Sequence, residues 1–225
     1  MARIGSLIAI IPVKGNSERI PQKNVRPFAK SSLLEVKLKQ IKRVKGINEI
    51  VVSSEDASVL SFAKQFGVSV HQRDPYYSKS SVPMSEVYSY LASEFKQETV
   101  MWAQVTNPLA GSDIYSLGIK TYLDQDSHYD CLLSTYEINE YLLNNGSPIN
   151  FQRNPWPRSQ DLKGISALSF VVNILKREDL LKWGSLVGER PNFLTLDRVT
   201  SMDIDFMDDF ELCEYYYNKN PERTY

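Results

Sequence analysis

The densest run of chemically capable side chains is Ile11-Pro-Val-Lys-Gly-Asn-Ser-Glu-Arg-Ile-Pro-Gln-Lys-Asn24. It gathers Lys14, Arg19 and Lys23, with Arg26 just beyond, around Gly15, Asn16 and Ser17, against one acid, Glu18. Cations on a loop of small residues neutralise a polyphosphate while backbone N–H groups approach its oxygens. The order of residues is neither a Walker A pattern nor a GxGxxG dinucleotide fingerprint. By charge alone, a solvated basic loop reads equally well. Near the other end, Met202-Asp-Ile-Asp205 sets two carboxylates two residues apart. In a strand that spacing turns Asp203 and Asp205 to one side. The pair then suits Mg2+, a hard ion that takes few protein carboxylates and keeps phosphate and water oxygens. The alternative is a solvated acidic strand end. Asp208 and Asp209 are placed to serve the N-terminus of the helix that follows.

The elements that must position these groups alternate in type. An apolar run at 7–12 predicts a central strand buried on both faces. A helix over 32–45 places Leu34, Leu38 and Ile41 on one side, with Gly46 at its end. Strands follow at 49–54, 68–73, 99–106 and 129–136. The intervening helices are capped by Asp56, opened by Pro83 and capped by Ser112. Beyond 163 we expect strands at 167–174, 193–197 and 202–206, and helices at 178–183 and after 206, the last burying Phe210, Cys213 and Tyr217. Such an order predicts an α/β fold, Rossmann-like, with a mostly parallel sheet between two helical layers. Ligands of such sheets bind outside the carboxyl ends of the strands, where the 11–24 loop lies. The chain reads as one domain, 1–225. Residues 139–163, rich in Asn, Gly and Pro, form a loop or small hairpin that interrupts the alternation.

Composition narrows the function. Hydrophobic residues make up 42% and charged residues 24%, as in ordinary globular proteins. A formal net charge of -1 argues against non-specific nucleic-acid binding, which uses a basic face. The longest apolar stretch is too short to span a bilayer. With no secretory signal pattern at the N-terminus, a cytoplasmic location is expected. Cys131 and Cys213 sit in apolar contexts without metal-ligand spacing and are expected to be buried thiols. His71 and His128 are isolated and offer neither a zinc pattern nor a catalytic triad.

The first loop resembles the signature of the acylneuraminate cytidylyltransferases, the CMP-sialic acid synthetase family, which reads roughly I-P-A-R-G-G-S-K-x-I-P-x-K-N. Lys14 stands at the family's arginine, Ser17 at its serine, and Pro21, Lys23 and Asn24 at P-x-K-N. Val52-Ser-Ser-Glu55 is similar to V-S-T-D, Ser81-Val-Pro-Met84 to T-S-P-M, and Gln104-Val-Thr-Asn-Pro-Leu109 to Q-P-T-S-P-L. Arg73 falls at the arginine after the third strand, and Met202-Asp-Ile-Asp205 with Asp208 resembles I-D-I-D-T-x-x-D. The matches keep their order along almost the whole chain. The resemblance implies transfer of CMP from CTP to a nonulosonic, sialic-acid-like sugar acid, with release of pyrophosphate. It implies catalytic roles for Lys14 and Lys23. A nucleotide site would comprise Lys14, Ser17, Arg19, Lys23, Asn24, Arg73 and Ser81, with Mg2+ at Asp203 and Asp205. It places Gln104 on the acceptor side and makes the chain a homodimer, paired through 139–163.

The sequence departs from that pattern in places. Glu18 stands where many relatives carry lysine, and Ala110 replaces an arginine. The stretch Leu162-Lys-Gly-Ile-Ser-Ala167 lacks the arginine and N-G pair that usually serve the acid, leaving Lys163 or Arg158 to hold its carboxylate. A transferase loading another acid, such as an octulosonate or a phosphonate, is the alternative reading. A non-catalytic nucleotide-binding homologue is the other, against which the retained Asp203 and Asp205 speak.

Overall fold

Five apolar residues in succession leave a strand no polar face, so it belongs mid-sheet with cover on both sides. The computed structural model, which describes residues 5–162 and 164–220, places β1 (Leu7–Pro12) there, with Leu7 through Ile11 wholly buried. The other strands of the sheet are β2 (Glu49–Ser54), β3 (Ser69–Gln72), β4 (Thr99–Trp102), β5 (Cys131–Ile138), β6 (Ile165–Lys176) and β7 (Pro191–Thr195). Their spatial order is β7-β5-β6-β4-β1-β2-β3. Only β6 runs against its neighbours β4 and β5; the remaining pairs are parallel.

Alternate residues of β1 feed two cores. Leu7, Ala9 and Ile11 pack with α1 (Leu33–Lys42), α2 (Ala57–Gln65), α4 (Ser112–Asp124) and α6 (Met207–Lys219). Ile8 and Ile10 pack on the other face with Leu91 of α3 (Met84–Glu94) and Leu180 of α5 (Arg177–Trp183). The result is the three-layer α/β/α fold. Ser32 caps α1 by accepting from Glu35 N at 3.2 Å, and Asp56 caps α2 through Ser58 and Val59. Both cysteines are buried thiols. Among the described residues no helix is long and apolar enough to cross a membrane.

Two irregularities shape the ligand-binding end. The β5–β6 ladder shifts register between Leu168 and Asn173, where Phe170 takes a positive φ of 54°. The Ser134 hydroxyl fills the gap, accepting from Val172 N at 2.9 Å and from Ser169 Oγ at 2.8 Å. Bulges of this kind re-aim side chains beside active sites. The segment 202–206, expected as a strand, joins no sheet. Its backbone contact is instead with the loop after β4, where Ile204 N donates to Thr106 O at 3.0 Å. One cap also differs: Gly111 precedes α4, with Ser112 its first residue, whereas Pro83 opens α3 as expected, immediately before Met84. Between β5 and β6 the chain makes a small hairpin, Leu143–Asn144 against Ser147–Pro148, turned by Asn145-Gly146 with φ of 48° and 80°. Both positive angles suit the Asn-Gly turn that matches strand twist.

Candidate active site

The loop leaving β1 is fastened to its neighbours before it reaches any ligand. Val13 N donates to Ser53 O at 2.9 Å, and Gly15 N donates to Glu55 Oε1 at 2.8 Å. A Cβ on Gly15 would lie 2.5 Å from Asp56 Cβ, so only glycine lets the loop pass this close to α2. Glu55 is the hub of this end. Its Oε2 accepts from Arg73 Nη2 at 2.8 Å and from Ser78 Oγ at 2.7 Å. Burial alone would raise the Glu55 carboxyl, but the hydrogen bonds from Ser78, Arg73 and Gly15 outweigh it and hold the group below its ordinary value. Arg73, 2% exposed, also donates to Val13 O at 2.7 Å. It therefore braces the cleft from behind. Glu18 accepts from Ser80 Oγ across the cleft, beside exposed Ser81.

Farther along the loop, two cations meet the C-terminal acids. Lys23 is buried, and its Nζ donates to Ile204 O at 2.6 Å, between Asp203 and Asp205 in sequence. Burial lowers its pKa, opposed by the pull of Asp203 and Asp205. Arg19 Nη2 lies 2.8 Å from Asp205 Oδ1, with the guanidinium 5.5 Å from the centre of the Phe206 ring. Asn24 Nδ2 donates to Lys14 O at 2.9 Å, while its buried Oδ1 has no partner among the described residues. Ser17 Oγ accepts from Ile20 N at 3.4 Å, and Lys14 stands half-buried at the mouth of the loop.

The acids are set by the turn after β4. Ile204 N donates to Thr106 O at 3.0 Å, and the Thr106 hydroxyl bonds the Asp203 carboxylate. Burial raises the Asp203 carboxyl above its usual range, aided by the nearby charge of Asp205 and opposed by Thr106 and Lys23. Its Oδ1 is buried and has no hydrogen-bond partner among the described residues. Asp209 Oδ2 accepts from Asp205 N at 3.0 Å and Phe206 N at 2.8 Å, so this acid serves the start of α6 as expected. Gln104 Oε1 lies 3.3 Å from the Thr106 hydroxyl.

Beside Asp203 opens a cavity of about 740 Å3, walled by Leu168, Phe170, Glu137 and Arg198. Arg158 does not line it. That side chain is 78% exposed and paired with Asp161 at 2.7 Å. Lys163 lies outside the described residues. A second cavity, about 840 Å3, opens at the opposite end of the sheet near Thr99, Asp130 and Arg177, and shares no residue with the site above.

The structure thus brings Lys14, Ser17, Arg19, Lys23, Asn24, Gln104, Asp203 and Asp205 to one end of the sheet, with Arg73 and Ser81 behind and across the cleft. Sequence reasoning missed Glu55 as the hub and Thr106 as the partner of Asp203. Their signal was faint: each ends a matched strand segment, Val52-Ser-Ser-Glu55 and Gln104-Val-Thr106.

A sequence model of the cytidylyltransferase family matches residues 8–166, from β1 into β6. The pseudaminic acid cytidylyltransferase of Campylobacter jejuni is 22% identical over 231 residues, covering 97% of this chain and 99% of its own. N-acylneuraminate cytidylyltransferase A of Danio rerio is 22% identical over 215 residues, 92% of this chain and 49% of that protein. Among solved structures, CMP:2-keto-3-deoxy-manno-octonic acid synthetase complexed with CTP superposes with a TM-score of 0.71 at 13% identity, covering 96% of this chain and 99% of that one. A family match across most of the chain, on a sheet whose carboxyl end gathers phosphate-type cations and paired acids, makes this protein a nucleotidyltransferase that belongs to the cytidylyltransferase family.

Proposed function

We propose that the enzyme transfers CMP from CTP to a nonulosonate-type sugar acid. The observation that carries this reading is the meeting of Lys23 and Arg19 with Asp203 and Asp205 at the carboxyl ends of β1 and β4. The named relatives act on pseudaminic and N-acylneuraminic acids, and the cavity beside Asp203 has room for an acid of that size.

The residues present fit a divalent ion. Asp203 offers a buried oxygen with no other partner, and Asp205 follows two residues on. No third acid, histidine or cysteine joins them among the described residues, which suits Mg2+ with triphosphate and water oxygens completing its shell. Such an ion would supply charge neutralisation at the α-phosphate. The chain's own groups do the rest. Lys14 and Lys23 would hold the triphosphate, with Asn24 and the exposed Ser81 beside them on the nucleotide side. An acceptor hydroxyl oxygen bonds to the α-phosphorus as the bond to the pyrophosphate oxygen breaks. The hydroxyl gives up its proton to solvent water, and pyrophosphate carries off the electron pair. Negative charge grows on the leaving pyrophosphate oxygen and on the oxygens of the α-phosphate, and Lys23 would act there as a fixed cation.

On the acceptor side, Arg198 is the one cation among the described residues that line the cavity. Its guanidinium lies 3.7 Å from Glu140, and the side chain is 86% exposed, free to turn inward onto a carboxylate. The chain pairs as a homodimer through 139–163, a reading supported by the exposed Leu143, Ile149 and Trp156. A cytoplasmic location fits a CTP-using enzyme with two free thiols. The deciding experiment is pyrophosphate release with CTP across a panel of sugar acids, repeated with the other nucleoside triphosphates and with chelator. Turnover only with an octulosonate would move the reading to that acid; no turnover with any acid would overturn it.

A further inference from the structure

We propose that Lys37 is a positioning residue for Asp203, acting through Asn107. The inference rests on Asp203 serving the divalent ion, as in the reading above. Lys37 lies on α1 with none of its surface exposed. Its ammonium is not seated on a carboxylate: Nζ donates to Asn107 O at 2.9 Å and to the Tyr115 hydroxyl. An apolar residue of the same length would fill this space without the cost of burying an amine. What lysine adds is a donor at the end of a long stem.

That donor has a structural target. Gln40, three residues on, donates to Pro108 O at 2.7 Å, so α1 clasps the turn after β4 at two successive carbonyls. On its other side the same turn holds the acid segment. Asn107 Nδ2 donates to Met202 O at 3.1 Å and to Ser169 O at 3.3 Å, while Thr106 takes Ile204 N and bonds Asp203. Residues 202–205 belong to no sheet, so no ladder sets their register. Asp209 and Lys23 hold the C-terminal part of this segment, at Asp205, Phe206 and Ile204 O. The side that carries Met202 and Asp203 rests on the 106–107 turn, and that turn is clasped by Lys37 and Gln40. Mg2+ demands near-ideal octahedral geometry. Removing a partner that orients a ligand from outside its shell weakens metal binding by about ten- to a hundredfold.

The test uses the full chain with Mn2+ as probe, its free concentration read by electron paramagnetic resonance in the presence of CTP. Asp203→Asn is the reference. If it leaves Mn2+ affinity unchanged, the metal reading itself fails, and the role of Lys37 with it. If it weakens binding, Lys37→Met and Asn107→Ala should each weaken it by about tenfold. CTP affinity measured in chelator should stay within about twofold in both, a split that general loosening of the fold does not give. The double variant should bind Mn2+ no more weakly than the poorer single variant, because both cut one chain of contacts. Unchanged Mn2+ affinity in either folded single variant, or fully additive losses, overturns the proposal. Circular dichroism checks folding. Should Lys37→Met not fold, Lys37→Gln takes its place in the cycle under the same criteria.

Discussion

Lys23 and Arg19 address the same acids from different depths. Lys23 is buried with Nζ on a backbone carbonyl, whereas Arg19 and Asp205 leave 50% and 45% of their side chains exposed. An exposed ion pair is worth about 0–1 kcal/mol, so Arg19 can give Asp205 up to a metal or turn to a phosphate at little cost. Lys23 cannot move without opening the site. Lys23→Ala should therefore lower kcat by about two to three orders of magnitude, and Arg19→Ala by clearly less. Asp203→Asn and Asp205→Asn should each lower it by about two orders of magnitude or more at saturating Mg2+. Steady-state rates near wild type for both aspartate variants would remove them from the site. In the proposed reading the acceptor's carboxylate meets a different cation, Arg198. Loss of one charge-assisted hydrogen bond costs about 1.5–3 kcal/mol. Arg198→Ala should thus raise acceptor KM by roughly tenfold or more and leave CTP affinity alone. Arg158→Ala, which removes an exposed side chain already paired with Asp161, should leave acceptor KM near wild type. The reverse ranking would move the acid-binding end of the cavity toward the 158–163 segment.

At the scale of the element, α1 is both a core helix and the support of the site, and its lysine makes that dual role measurable. Burial pushes the Lys37 amine down to about 7 from its unfolded value of 10.5. Between those limits the unfolded chain binds a proton that the folded chain does not, so this group makes stability rise as pH increases. Below about pH 7 both states carry the proton and the slope from Lys37 vanishes. Buried Cys131 and Cys213, raised to about 11 and 12, act in the opposite sense only above their ordinary value of 9. Denaturant midpoints between pH 7 and 9 should therefore climb in the wild type and climb less steeply in Lys37→Met, where only the lowered amine of Lys23 still acts in that sense. An unaltered slope in the variant would show that Lys37 does not titrate in this range. The helix that carries it was legible in sequence from Leu34, Leu38 and Ile41, and so were β1, β2, the Asp56 cap and the buried face of α6. Each of those is written locally, in periodicity or a cap. Lys37 falls on the same stripe as Leu34 and Ile41, which is the signal that could have exposed it. The hub at Glu55 and the unpaired path of 202–206 were not legible, because both depend on which segments the sheet brings together. An extended residue pattern says nothing about whether a partner strand is available.

The whole molecule has a polar cleft at one end of its sheet and, beside it, a hairpin that cannot bury its own apolar surface. Tyr141, Phe151 and Trp156 pack on one another with ring centres 4.8–5.3 Å apart. Even so, Trp156 and Leu143 each remain 60% exposed and Ile149 54%. Apolar residues exposed together on one segment are the kind of surface that contacts a partner, which is the basis for the proposed pairing. A stable interface buries about 1,600 Å2 in total, more than a hairpin tip offers alone, so in the proposed dimer its base would take part as well. That base borders the site: Asn139, Glu140 and Leu142 line the cavity beside Asp203, and Glu140 holds Arg198. Pairing of two chains would then fix one wall of the acceptor pocket while leaving the nucleotide loop, at the other side of Asp203, untouched. Sedimentation at micromolar concentration should show a dimer for the wild type and a monomer for Leu143→Glu with Trp156→Glu. The double variant should keep CTP affinity within about twofold and raise acceptor KM by roughly tenfold, a loss of about 1.4 kcal/mol. A wild-type monomer rejects the interface. A monomeric variant with unchanged acceptor KM keeps the interface and separates it from the chemistry.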